Sequence, residues 1–403
     1  MEVLLDTTGG DIVSEEATMY DASHIQVLEG WEAVRKRPGM YIGNTGQRGL
    51  HQLVFEVAYR AVNEVLAGRA TSVDIALTPD GGVRVADDGP GIPLSESGDA
   101  GDGPGLEALL TRFRAGVRNG RGRAMALQAY DVGPGVVNAL SHRMTAEVRR
   151  EGVRWVQEYA RGLATTPLAE AGKAASSGTT LVFWPDAEIF DSVEFSYDAL
   201  VERFRELAFL NRGLDISLTD LRDPDEARSV RLHFPGGTRD FVDFLDLRDG
   251  RPTASAAMEP VSFEREDPRM EGVMDIAFRW YDGPGGRVES FANSSSTTRG
   301  THVWGFRAGV AAALTAYARE RGLLTPEDPD FDTDGILEGL TAVVSVKLDD
   351  PEFDGCVSER LGNIAVQHCV REAVQDHLGR RLRRHPEEAA AVIDRLVRVA
   401  RRD

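Results

Sequence analysis

The chain has 403 residues, 42% of them hydrophobic, with a formal net charge of −19, which suits two packed domains of a soluble globular protein. No stretch approaches the roughly 18 apolar residues of a membrane span, and the acidic start MEVLLDTTGGDIVSEEATMYD lacks a basic n-region, so no membrane association is expected and a cytoplasmic location follows. Cys356 and Cys369 are too few for a disulfide scaffold or a zinc cluster, and an acidic surface repels a polyanion, so direct DNA binding is not expected without a local basic patch.

Residues 1–19 read as a flexible arm, because Gly9, Gly10 and scattered acids offer little to bury. Ile25, Val27, Leu28, Trp31 and Val34 recur at near-helical spacing before a break at Pro38-Gly39. Leu53, Val54, Val57, Ala61, Val62 and Val65 mark an amphipathic helix over Leu50 to Leu66, closed by Gly68. SVDIALTP and GGVRVADDG then read as strands joined at Asp80-Gly81-Gly82, a hairpin signal.

A Gly- and Arg-rich region (94–135) precedes the helix VVNALS and strands running through LVFWP (181–185). YDALVERFRELAFLN (197–211) predicts a helix, followed by strands LDISLTDL and VRLHF across the polar turn RDPDEARS. The linker falls near Pro235-Gly236-Gly237, and a second α/β unit follows, with strands at 272–280 and 339–348 and an amphipathic tail in HPEEAAAVIDRLVRVARR. No internal repeat or low-complexity segment is visible.

The run DASHIQVLEGWEAVRKRPGMYIG resembles the N-terminal signature of the gyrase B and topoisomerase IV B family. VVNALS, SGTTLVFWPD, FRELAFLNRGLDISL, FANSSSTTRGTHVWGFRAG and GLTAVVSVKLDDPEF resemble that family in the same order. The resemblance implies an α+β chain: a Bergerat-type (GHKL ATPase) α/β sandwich over residues 20–233, then an α/β transducer domain over 234–403. It also implies a truncated, degenerate paralogue with no room for the family's metal-binding TOPRIM and DNA-cleaving regions, so strand cleavage is not expected.

Within FEVAYRAVNE (55–64), Glu56 matches the family glutamate that activates the attacking water, as a positioned carboxylate base can. Arg60 stands where the family carries a Mg²⁺-ligating asparagine, and Tyr59 where an aspartate is usual. A guanidinium has no lone pair to give a metal, so Mg²⁺ binding in the usual mode should be lost. Four residues from both Glu56 and Glu64, Arg60 is expected to pair with either carboxylate.

In VADDGPGIP (85–93), Asp87 matches the adenine-reading aspartate, with Gly91 and Ile92 beside it and Thr179 on the opposite wall. Pro90 replaces an arginine that would pair with the acid at Glu64, and Arg60 is the expected substitute cation. Leu109 and Tyr130 are further expected pocket residues. The family's phosphate loop GGLHGVG reads LQAYDVG here, Leu127 to Gly133. Only Gly133 survives, and Asp131 brings a negative charge that repels phosphate in a low-dielectric pocket.

Cys356, Val357 and Ser358 replace the transducer's QTK run, so that γ-phosphate contact is also absent. Arg112, Arg114, Arg118, Arg121 and Arg123 read as a mobile segment rather than an anion-gathering loop. Tyr20 and Ile25 match the family arm that crosses to a partner subunit, which implies a homodimer.

The resulting expectation is a gyrase B-like fragment that has lost ordinary Mg²⁺-ATP turnover and serves as a binding, regulatory or protective module. No cofactor is required, although ATP or ADP remains a candidate for the adenine end. The first alternative is an enzyme recruited to a specialised biosynthetic pathway, using the adenine-like pocket for another, anionic small molecule. The second is a weak ATPase with non-standard ligands.

Overall fold

The computed structural model describes residues 30–95, 105–112, 132–251, 258–281, 285–355 and 359–400. The first apolar run forms α1 (Trp31–Lys36), breaks before Pro38, and resumes as the single turn α2 (Gly39–Ile42). The long amphipathic pattern becomes α3 (Gln47–Leu66). It begins before Leu50 because Asn44 Oδ1 accepts from the N–H groups of Gly46 and Gly49, at 3.1 and 3.2 Å, and closes the first turn.

The predicted hairpin is β1 (Val73–Leu77) and β2 (Val83–Asp87), turning through Gly81 at φ +81°. The short helices α4 (Leu106–Thr111) and α5 (Pro134–Ala139) precede β3 (Ser141–Arg150), β4 (Val153–Ala160), β5 (Leu163–Ala164), β6 (Ala169–Lys173) and β7 (Gly178–Pro185). Then come α6 (Tyr197–Phe209), β8 (Ile216–Asp220) and β9 (Arg228–Leu232).

These nine strands form one sheet in the order β5-β4-β3-β7-β2-β1-β8-β9, with β6 also on β4. Only the β1–β8 pair is parallel among them. Along β3, Met144, Ala146 and Val148 are buried while the alternating Arg143, Thr145 and Glu147 are not, the period of a sheet covered on one face. Helices α3, α5 and α6 supply that cover.

The second half runs α7 (Thr238–Arg248), β10 (Val261–Asp267), β11 (Gly272–Trp280), β12 (Arg287–Ala292), β13 (Ser295–Thr297) and β14 (Arg299–Gly300). It continues with α8 (Thr301–Glu320), β15 (Leu340–Leu348), β16 (Arg360–Leu361), α9 (Ile364–Arg384) and α10 (Pro386–Ala400). Five strands order as β10-β11-β15-β12-β13, and β14 pairs with β16. The central strands β11 and β15 are buried almost throughout, because both faces are covered. Ala277 and Val343 pack with Phe241 and Leu245 of α7, whereas Ile276, Ala342 and Val344 face the core shared with α8 and α9.

Helices α8 and α9 cross closely at Gly305 and Gly309, where a Cβ would fall 2.5 Å from Gln367 O and 2.6 Å from Arg371 O. Arg279 is buried on β11 and donates through Nε to Asp246 Oδ2 of α7 at 2.8 Å, so the charge brought into the sheet has its counter-charge. Among the described residues, no helix is long and apolar enough to cross a membrane.

His302 lies buried at the start of α8, with Nε2 2.9 Å from Thr297 Oγ1 and Nδ1 without a partner among the described residues. Burial pushes its pKa down from 6.5 to about 4. The native state therefore binds fewer protons than the unfolded chain between those values. Its contribution to stability is complete above pH 6.5 and is lost as the pH falls toward 4. Urea unfolding at pH 7 and pH 4.5 should show the native chain losing about 2 kcal/mol more than His302→Gln across that interval.

Candidate functional site

Helix α3 packs on β1 and β2, which points one row of its side chains at the end of β2. Glu56 is buried on that helix and holds its carboxylate in two directions. Oε1 accepts from Gln52 Nε2, one turn earlier, at 2.7 Å, and Oε2 accepts from the Gly133 N–H at 3.1 Å. Gly133 takes φ +77° as it enters α5, a conformation that favours glycine.

Asp87 ends β2 with 3% of its surface exposed. Its Oδ1 accepts from the Gly89 N–H at 3.0 Å, and its Oδ2 accepts from Arg60 Nη2 in a direct ion pair. Thr179 of β7 is its ladder partner and is fully buried. Thr179 Oγ1 accepts from the Ile92 N–H at 3.1 Å, which pins the glycine turn to the sheet. Gly91 allows that approach: it has φ +82°, and a Cβ there would stand 2.9 Å from Arg149 O.

The expected pairing of Arg60 with Glu56 or Glu64 is replaced by this bond to Asp87. Glu56 is already held by Gln52 and Gly133, and Glu64 is met by Arg69 at 2.7 and 3.1 Å. Asp87 is the more deeply buried carboxylate, so it gains most from a cation. Arg60 is thus not the substitute partner for Glu64 expected after the loss of an arginine at Pro90. Leu109 is buried among the apolar side chains beside α4. Tyr130, Asp131, the loop from Leu127, Arg114 through Arg123, Cys356 to Ser358, and Tyr20 with Ile25 lie outside the described residues.

Tyr59 has a role that its place in the sequence does not announce. Its hydroxyl accepts from Arg203 Nη2 of α6 at 3.4 Å, and the same nitrogen donates to Ser294 O at 3.2 Å. Ser294 and Asn293 turn from β12 into β13 with φ +63° and +49°. Asn293 braces that turn on Leu348, donating from Nδ2 at 3.0 Å and accepting at Oδ1 at 2.8 Å. Beside it, Lys347 Nζ donates to Asn211 Oδ1 at 2.8 Å, and burial lowers the lysine's pKa from its ordinary value. The sequence signal for Arg203 was its place in the stripe Leu200, Arg203, Phe204, Leu207, where a cation needs a polar partner.

The profile of the DNA gyrase B family matches residues 237–403. The DNA gyrase B protein of Streptomyces coelicolor is 43% identical over 419 residues, covering 98% of this chain and 60% of that protein. The 43K ATPase domain of Thermus thermophilus gyrase B, solved with an aminocoumarin, superposes with a TM-score of 0.77 at 32% identity, covering 93% of this chain and 95% of that one. The chain belongs to the DNA gyrase B family.

The ATP binding domain of Francisella tularensis topoisomerase IV, solved with a small-molecule inhibitor, has a TM-score of 0.74 at 28% identity, covering 93% and 98%. The chain therefore has the family's GHKL-type ATPase plus transducer fold. It spans 60% of the length of the Streptomyces coelicolor protein. Arg60 offers no lone pair to a metal, and its charge is already committed to Asp87.

Which carboxylate Arg60 serves is measurable as stability. Asp87→Asn should lower the unfolding free energy in urea by about 1–3 kcal/mol, because it leaves a largely buried guanidinium beside a neutral amide. Glu64→Gln, which breaks the exposed pair with Arg69, should cost less than about 1 kcal/mol.

Proposed function

We propose that this gyrase B-type chain binds a small molecule between α3, β2 and β7 without turning over Mg²⁺-ATP, and acts as a binding or regulatory module. The observation that carries this reading is the ion pair between Arg60 and Asp87. One substitution removes the metal-ligating side chain and also occupies the carboxylate that the family uses to read adenine. Glu56 keeps the position of a general base, but without a metal-bound triphosphate beside it a water that it activates has nothing to attack.

The division of the chain at 233/234 into ATPase-like and transducer-like parts, a homodimer formed through the Tyr20–Ile25 arm, and a cytoplasmic location belong to the same reading. So does the absence of direct DNA contact, which the net charge of −19 supports. A protective role is a special case of it, supported by the aminocoumarin that the Thermus thermophilus domain holds.

Phosphate release from ATP with Mg²⁺, run beside calorimetric titration, tests the proposal. The native chain should release phosphate no faster than Glu56→Gln. Turnover that Glu56→Gln abolishes would overturn it.

A further inference from the structure

Helices α6 and α7 line a cavity of about 340 Å³, with β12 on a third side. Residues three and seven apart share a helical face, which brings Glu202, Arg205 and Phe209 of α6 to the cavity opposite Phe241, Phe244 and Arg248 of α7. Phe209 and Phe241 are buried and stack with ring centres 4.7 Å apart, so this part of the lining is apolar. Exposed Glu202 and Arg248 bring the cavity to solvent. Its volume falls at the small end of the range that ligand pockets occupy.

Three acids line the cavity, and an arginine holds each of them. Glu202 is met by Arg248 at 3.3 Å, Glu206 by Arg203 at 3.0 Å and Glu289 by Arg287 at 2.7 Å. Arg205 has no carboxylate within ion-pair distance among the described residues. Its guanidinium carbon lies 5.2 Å from the centre of the Phe244 ring, and that of Arg248 lies 5.8 Å from the same ring. Two cations therefore converge on one ring, and only one of them has its counter-charge. A ring contact of this kind orients a guanidinium without using its N–H donors.

We propose that this cavity binds a small organic monocarboxylate with a flat apolar body. The carboxylate accepts from the free fork of Arg205, a geometry that suits two parallel N–H donors, and the body lies against Phe244 and the buried pair Phe209 and Phe241. A neutral ring would leave Arg205 without a counter-charge. A compact anion of higher charge would gain nothing from the aromatic lining and would meet three glutamates. This site is separate from the one at the end of β2 and does not depend on it.

2-Naphthoate and 2-naphthamide have nearly the same shape and differ in charge. Calorimetric titration of the full chain should show 2-naphthoate binding with a Kd below about 1 mM and at least about tenfold more tightly than 2-naphthamide. Arg205→Gln should remove that difference. Glu202→Gln, which releases Arg248 from its partner, should strengthen 2-naphthoate binding about twofold to fivefold.

Glu202 is exposed and Arg205 half-buried, so both substitutions sit at positions where the fold tolerates a polar side chain. Absence of 2-naphthoate binding, equal binding of the amide, or a preference that survives Arg205→Gln would each overturn the proposal. Weaker 2-naphthoate binding in Glu202→Gln would overturn it as well.

Discussion

A carboxylate buried at the end of a strand has to be neutralised, and at Asp87 that requirement organises the surrounding pocket. The strand β2 lies between β1 and β7 in the interior of the first sheet, so its last residue is carried under the glycine turn and out of water. An unpaired carboxylate there would cost several kcal/mol. Arg60 supplies the counter-charge from α3. The end of β2 consequently carries a closed ion pair.

The same helix connects the pocket to the second half of the molecule. Tyr59 accepts from Arg203 on α6, and Arg203 reaches the Asn293-Ser294 turn between β12 and β13. That turn is braced on the end of β15 through Leu348, and Lys347 beside it is held by Asn211. A row of polar contacts thus runs from the helix bearing Glu56 and Arg60 to the strand that leads into residues 350–355. The aromatic cluster of Phe209, Phe241 and Phe291 lies alongside and excludes water from the seam. These contacts tie α3 to the end of β15, and the apolar cluster adds the burial that holds the seam closed.

Much of the fold was legible in the sequence. The 3.6-residue period of Leu53, Val57, Ala61 and Val65 dictates one buried helical face, and the Asp80-Gly81-Gly82 turn dictates a hairpin. Collinear motifs carried the family. The site was legible as a set of residues: Glu56, Arg60, Asp87, Gly91, Ile92 and Thr179 do gather around the end of β2. The pairing among them was not. Helical spacing offered Arg60 two carboxylates on its own helix, and spacing says nothing about which acid elsewhere in the chain is most desolvated.

The sequence by itself therefore determined local periodicity, turn chemistry and the presence of a guanidinium at position 60, because each depends on residue type and near neighbours. Tertiary structure decided where the charge of Arg60 goes, that Tyr59 faces Arg203, and that Gly305 and Gly309 serve a helix crossing. Those outcomes depend on burial and on contacts between segments far apart in the chain. Desolvation is a property of the assembled fold, and it ranks Asp87 above the nearer acids as the partner that a guanidinium must serve.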